Sequence, residues 1–344
     1  MTLPLLAITL GDPSGVGPEI ILKALRHPEV FQVCRPLIVG DARILRRAAE
    51  WLEARDSSIP ATFEPVTDPA SAVYRLGSIS LFDLSNADPT GCQVGRVCTS
   101  SGRAAVEYVF AACDLALAGK VDAIVTTPLN KEAMNLAGFH YAGHTELLTE
   151  RTHAQKVSML LIGDSLRVVH VSTHVSLEEA IRRVTRARVG EVIDLAQAAC
   201  HALGIPQPRI AVAGLNPHAS EEGLFGTQEA AEIIPAVAAA RARGLQVSGP
   251  LPPDTVFMRA AQGEFDIVVA MYHDQGHIPM KLLAFDQGVN VSLGLPVIRT
   301  SVDHGTAFDI AGTGQARETS LLAAIHAAVQ MVHARKSADH AAID

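Results

Sequence analysis

The chain has 344 residues, 48% hydrophobic and 19% charged. That is enough apolar mass for a large core, so disorder is excluded and two lobes are expected. The formal net charge of −8 with no basic block speaks against a nucleic-acid face, and no run reaches the roughly 20 apolar residues of a membrane span. Five scattered cysteines without a CxxC pair (Cys34, Cys92, Cys98, Cys113, Cys200) read as reduced thiols of a cytoplasmic protein, not as a disulfide frame or a thiolate metal centre.

In chain order, short apolar β-branched runs end in polar or Gly/Pro residues and are followed by helical periodicity. The opening "MTLPLLAITLGDPSG" lacks a basic n-region and a cleavage motif, so it reads as a first strand and not as a signal peptide. Residues 5–25 and 35–54 each give a strand and a helix, and the stretch 55–98 is loop-rich apart from "SISLFD" at 78–83. A helix, a glycine stop, a strand and a polar loop fill 100–134. Two strands joined by a Gly-Asp-Ser turn are expected at 159–168, then a helix. Strand, loop and helix follow at 208–244. The run "FDIVVAMYHDQGHIPMK" (265–281), a short strand near 289–293 and a helix at about 320–335 complete the series. Alternation of this kind predicts an α/β protein. The 159–168 pair and the isolated 78–83 run suggest some antiparallel strands, hence a mixed sheet flanked by helices.

Polar residues cluster where these strands end: Asp12 and Gly15, Thr126 to Lys131, His174, Asn216 to His218, His273 to Lys281. Carboxyl ends of parallel strands share one sheet edge, where open α/β folds bind ligands. Of the fourteen histidines, His174, His218 and His273 each closely follow an apolar strand. Together they could hold a divalent ion with positions left open for substrate; singly, each could be a hydrogen-bonding loop residue. His170 shares the strand alternation of His174 and could be a supporting or core residue. Lys281, Asn290 and Arg299 lie in otherwise apolar surroundings and suggest an anion pocket, or two cations that merely reach solvent past apolar neighbours. The "GDPSGVGPE" stretch (11–19) lacks a P-loop lysine and the dinucleotide glycine spacing, so it reads as a tight turn into a helix with Pro18 in its first turn.

Taken together, "GDPSGVGPE", "TTPLNKEA", "GHTELL", "LNPHASEEGLFG", "YHDQGHIPMK" and "GVNVSLGLPVIRTSVDHGTAFDIAG" resemble the 4-hydroxythreonine-4-phosphate dehydrogenase family, from residue 5 to about 335 and in the family's order. "DHGTAFDIAGTG" (303–314) is also similar to the adenosine loop of isocitrate and isopropylmalate dehydrogenases. The resemblance implies a two-lobed α/β fold of that type with the active site in the interlobe cleft. It implies a nucleotide-binding lobe at 1–125 plus 280–344, and a metal-binding and dimerisation lobe at 126–279. It implies a homodimer sharing its metal site. The ligands are His174, His218 and His273, the third from the partner, holding Zn, Co, Mn or Mg. Substrate positions fall on His144, Thr145, Lys281, Asn290 and Arg299, and the NAD or NADP loop on His304, Gly305, Thr306, Ala307 and Asp309.

The implied chemistry is metal-dependent oxidation of the C3 hydroxyl of a 4-phosphorylated four-carbon hydroxy acid, then decarboxylation, with Lys281 or His144 as the acid/base. His277 stands where biosynthetic members tend to carry an apolar residue. With "NPHASEEGLFG", it leans toward relatives that oxidise D-threonate or D-erythronate 4-phosphate. A more remote branch oxidises an aromatic dihydrodiol dicarboxylate and lacks the phosphate-site Asn/Arg pattern; this chain keeps Asn290 and Arg299. A metallohydrolase could also use three imidazoles, but the "HGTAFDIAG" loop argues against it, because hydrolysis needs no adenosine site. A metal-binding sensor without chemistry would leave Asp12, Lys131 and Lys281 unexplained.

Overall fold

The computed structural model describes residues 2–53, 62–284 and 288–341. Contacts divide the chain into two compact units, Met1–Ala154 with Leu295–His333 and Gln155–Gly294 with Ala334–Asp344. The sequence reading places the changes of lobe after 125 and after 279.

The chain opens with β1 (Leu5–Thr9), α1 (Gly17–Ala24), α2 (Pro28–Val33), β2 (Arg35–Gly40) and α3 (Ala42–Glu53). Part of the expected loop-rich stretch, 54–61, lies outside the described residues; its remainder carries β3 (Thr62–Pro65) and β4 (Ser78–Asp83). Next come α4 (Thr99–Leu117), β5 (Ala123–Thr126), α5 (Lys131–Leu136) and α6 (His144–Thr152). The second unit contributes β6 (Ser158–Ile162), β7 (Arg167–His170), α7 (Leu177–Arg183), α8 (Arg186–Ala202), β8 (Ile210–Ala213), α9 (Ile234–Ala242), β9 (Val247–Leu251), α10 (Pro253–Ala261), β10 (Ile267–Ala270), α11 (His273–Leu283) and β11 (Val289–Leu293). The chain then forms β12 (Arg299–Val302) and α12 (Thr319–Ala341).

In the first unit six strands run in the order β3-β4-β2-β1-β5-β12, every neighbouring pair parallel. All five residues of β1 are buried, as a strand covered on both faces requires. The 78–83 run is therefore a strand as expected, but it pairs parallel with both β2 and β3, because an isolated apolar run carries no turn to set its direction. In the second unit the order is β11-β6-β7-β10-β8-β9. Here β6 is antiparallel to both β11 and β7, the expected Gly-Asp-Ser hairpin, and the remaining pairs are parallel. Helix α4 lies against β1, β2 and β5, and helices α8 and α10 lie against β8 and β10. Among the described residues no helix is long and apolar enough to cross a membrane.

Two topological facts position the functional residues. Strands β7, β10 and β8 are adjacent and parallel, so the segments after His170, Ala270 and Ala213 leave the same edge of the second unit's sheet. In the first unit β1 and β5 are adjacent and parallel with Thr9 opposite Thr126, so Asp12 and Thr127 follow neighbouring strand ends.

Candidate functional site

In the second unit, His174, His218 and His273 follow β7, β8 and β10 respectively. The rings of His174 and His273 lie 5.8 Å apart between centroids. Two imidazoles meeting one tetrahedral ion at roughly 2.1 Å would have centroids about 5 Å apart, so this pair fits a shared cation with little adjustment. The Nδ1 of His273 lies 2.6 Å from Asp274 Oδ1. A carboxylate there accepts a hydrogen bond from Nδ1–H and leaves Nε2 as the basic nitrogen, the arrangement that orients metal-binding histidines. A cavity of about 460 Å³ opens beside the pair, lined also by Thr173, Ser176 and Tyr272. His218 stands apart, exposed, with Nδ1 3.8 Å from Asp254. Among the described residues no group of three His, Cys, Asp or Glu side chains is arranged to hold a metal.

The His218 segment is unusual backbone. His218, Ala219, Ser220, Glu221 and Glu222 all have positive φ, a conformation costing roughly 1–2 kcal/mol per non-glycine residue. The segment is held by a side chain that sequence reasoning overlooked. Glu229 is almost fully buried; its Oε1 accepts from the Leu215 and Asn216 amides at 2.8 and 2.7 Å, and its Oε2 from Asn216 Nδ2 at 2.9 Å. A glutamate amid the apolar "TQEAAEII" was the available signal.

The stretch 273–281, expected as a loop, is the first part of helix α11. Gly276 and Pro279 hid its periodicity. The turn of an α-helix puts His273, His277 and Lys281 on one face. His277 stacks on His273 with centroids 3.6 Å apart and planes 10° apart. His170, fully buried on β7, lies 4.8 Å from His277 between centroids. Its Nδ1 is 3.2 Å from the Met159 carbonyl, so it carries its proton there, and Nε2 makes no hydrogen bond among the described residues. Burial, and secondarily the neighbouring His277, pull its pKa down to about 3, keeping it neutral. Asn290, on β11 opposite Leu161, donates from Nδ2 to the Met159 sulfur at 2.7 Å.

In the first unit, His144 is the first residue of α6, and Thr145 follows it. Arg299 begins β12 opposite Ile124, and its long side chain runs forward to the strand end, where Nε and Nη2 donate to the Thr126 hydroxyl at 3.2 and 2.6 Å. Arg299 is 2% exposed, and burial lowers its pKa to about 9, partly offset by the Glu146 carboxylate; it stays charged at neutral pH. Burial above all, then Arg299 and Lys131, push His144 well below the usual histidine range, so its imidazole is neutral. His144 Nε2 is shut off from solvent and makes no hydrogen bond among the described residues. Glu146 was missed in the sequence, although "GHTELL" places it in a helix's first turn, where it favours the dipole.

Asp12 is fully buried after β1. Desolvation raises its pKa to about 6, while the Ser14 amide, 2.8 Å from Oδ1, and the Asn130 amide favour its charge. Beside it, the turn 11–19 packs on the expected cofactor loop. Val16 donates to the Thr306 carbonyl at 3.1 Å, and a Cβ built at Gly15 would lie 2.9 Å from Thr306 Cβ, so glycine is needed there. The carboxylate of Glu19, on α1, accepts from the Gly312 amide at 2.9 Å. Ala307 has a φ of 42°. His304, Gly305 and Asp309 are exposed, and nothing lies within 4 Å of a Cβ built at Gly305. The segment thus offers open backbone on which the flat rings of a dinucleotide can lie, so its residues fit the implied cofactor.

A groove of about 800 Å³ runs between α10 and α11, lined by Phe257, Met258, Ile278, Pro279, Leu282 and Leu283. Its apolar side chains face outward, Leu282 at 82% exposure and Ile278 at 58%.

Residues 32–328 match the family described as pyridoxal phosphate biosynthetic protein PdxA. The chain is 48% identical over 323 residues to the 4-hydroxythreonine-4-phosphate dehydrogenase of Desulforapulum autotrophicum, covering 94% of each. It is also 48% identical over 334 residues to the D-threonate 4-phosphate dehydrogenase of Cupriavidus necator, covering 97% of this chain and 98% of that one. A crystal structure of 4-hydroxythreonine-4-phosphate dehydrogenase from Klebsiella pneumoniae superposes with a TM-score of 0.85 at 45% identity, covering 96% and 98% of the two chains.

Proposed function

That the chain belongs to the pyridoxal phosphate biosynthetic protein PdxA family is the premise from which we propose an NAD(P)-linked dehydrogenase. It oxidises the C3 hydroxyl of a 4-phosphorylated four-carbon hydroxy acid, and the resulting 3-oxo acid loses carbon dioxide. The observation that carries this reading is the buried Arg299 guanidinium beside the neutral His144. A charged fork kept from water binds a phosphate or carboxylate strongly and in a fixed geometry.

In this reading Arg299, Thr145 and Asn290 bind the anionic ends of the substrate. His144 or Lys281 takes the hydroxyl proton. His144 is neutral and its Nε2 makes no hydrogen bond among the described residues, and both favour it for that step. The hydride passes to a nicotinamide whose dinucleotide lies on His304, Gly305, Thr306, Ala307 and Asp309. His174, His218 and His273 would hold a divalent ion, zinc by the chemistry of an all-imidazole set, which supplies Lewis acidity at the reacting hydroxyl. Only His174 and His273 approach each other within one protomer. A homodimer whose second copy supplies His218, instead of His273 as the resemblance implies, meets that requirement, and the exposed apolar groove along α10 and α11 is the surface such a dimer would cover. Reduced, scattered cysteines suit a cytoplasmic enzyme.

The test is a substrate panel of 4-hydroxythreonine 4-phosphate, D-threonate 4-phosphate and D-erythronate 4-phosphate with NAD and NADP, before and after chelation. Formation of reduced cofactor with release of carbon dioxide, lost on chelation and restored by zinc, is expected from at least one acid. Phosphate release without cofactor reduction from every acid would instead identify a metallohydrolase.

A further inference from the structure

We infer that His277 is a positioning residue that holds the His273 ring in its metal-binding orientation by stacking on it, with the buried His170 ring against its flank. The inference rests on the metal reading given above and adds to it a residue outside the ligand set. His277 and His273 are four residues apart on α11, and their rings are nearly parallel at 3.6 Å. The Nδ1 of His277 lies 3.0 Å from the His273 carbonyl, so the ring is tied to the same turn that carries the ligand. The fully buried His170 ring, anchored to the Met159 carbonyl, flanks the stacked pair, 4.8 Å from His277 and 6.5 Å from His273. Gly276 permits this: a Cβ there would lie 2.6 Å from Val168 Cγ1 and closer still to His170 Nε2, so only glycine lets α11 seat on β7 with the rings in register.

An imidazole on a helix terminus otherwise turns freely about two side-chain torsions. Asp274 fixes which His273 nitrogen is basic but is exposed, and a hydrogen bond in its plane does not set the tilt of the ring. The flat face of His277 does. Losing such an outer support typically weakens metal binding by about 10- to 100-fold.

The test titrates chelator-stripped full-length protein with Co(II), reading affinity by calorimetry and ligand geometry from the visible spectrum. His277→Ala is expected to weaken binding at least tenfold and to alter the spectrum. His277→Phe keeps a stacking face without the nitrogens and should bind within about threefold of wild type. Wild-type affinity and spectrum in His277→Ala would overturn the inference, and so would a His277→Phe variant as weak as alanine. Equal melting temperatures of the metal-free variants exclude misfolding as the cause. Should either variant unfold, His277→Tyr, which also keeps an aromatic face, decides in the same titration: binding within about threefold of wild type is expected, and binding weakened about tenfold or more would overturn the inference. If wild type binds no Co(II), or His273→Ala binds it normally, the metal reading itself fails, an outcome distinct from a failure confined to His277.

Discussion

The side-chain amide of Gln275 donates to the backbone carbonyl of Gly214 at 2.7 Å, while its carbonyl accepts from the Met271 amide at 2.7 Å. One buried side chain thus fastens the end of β10, which leads into His273, to the end of β8, which leads into His218. Replacing Gln275 with leucine keeps its volume but leaves a donor and an acceptor unmatched away from water. Each costs roughly 1–3 kcal/mol, so a loss of about 2–6 kcal/mol in urea unfolding is expected. A loss below about 1 kcal/mol would mean that water replaces the bridge and that the two segments are fastened elsewhere.

Gly276→Ala sets two effects against each other. Alanine is the better helix former by about 1 kcal/mol. Against this, its Cβ would overlap Val168 and His170, both inside the sheet packing, where neither side chain can swing away. The overlap wins, and thermal melting is expected to fall by several degrees, with α11 lifted from β7. A stabilised variant would show that α11 can shift along the sheet at little cost.

Much of this organisation was legible in the sequence because it depends on local pattern. The apolar β-branched runs before Asp12, His174, His218 and His273 could only be buried strands, and strand ends in an α/β fold share an edge. The Gly-Asp-Ser turn announced the β6–β7 hairpin. What escaped depends on partners distant in the chain or on the backbone. Nothing about "SISLFD" reveals that its neighbours are β2 and β3, so its direction was open. Gln275 and Glu229 act on main-chain atoms, which carry no residue identity in a sequence. The helix that begins at His273 was masked by Gly276 and Pro279, and at Gly276 the close seat on β7 overrides propensity.

Asp12 gives a pH signature. Its folded pKa of about 6 is raised above the ordinary 3.8 by burial, so the folded state holds a proton that the unfolded state has released between those values. Its contribution to stability is therefore full below about pH 3.8 and lost as pH rises through 6, a fall of roughly 3 kcal/mol across the window. Asp12→Asn removes the titration while keeping an acceptor for the Ser14 amide. The variant should be more stable than wild type at pH 7, with the advantage shrinking toward pH 4 in urea midpoints. Parallel stability curves for the two proteins would show that the carboxyl is not desolvated in solution.

Arg299→Lys separates charge from geometry. Lysine keeps the positive charge but cannot donate twice to the Thr126 hydroxyl, and its single ammonium cannot present a planar fork to a second anion. In the proposed site a fixed guanidinium would bind the anionic end of the substrate in the ground and transition states alike, so its loss should raise KM about tenfold or more and change kcat less. The variant should also shift His144, because the arginine charge helps keep that imidazole neutral. An ammonium on a flexible stem sits farther from the ring on average, so the His144 pKa should rise, measurable by NMR titration of its ring protons. A variant with unchanged KM for every phosphorylated acid would remove Arg299 from the substrate site and leave it as a structural cation tying β12 to Thr126.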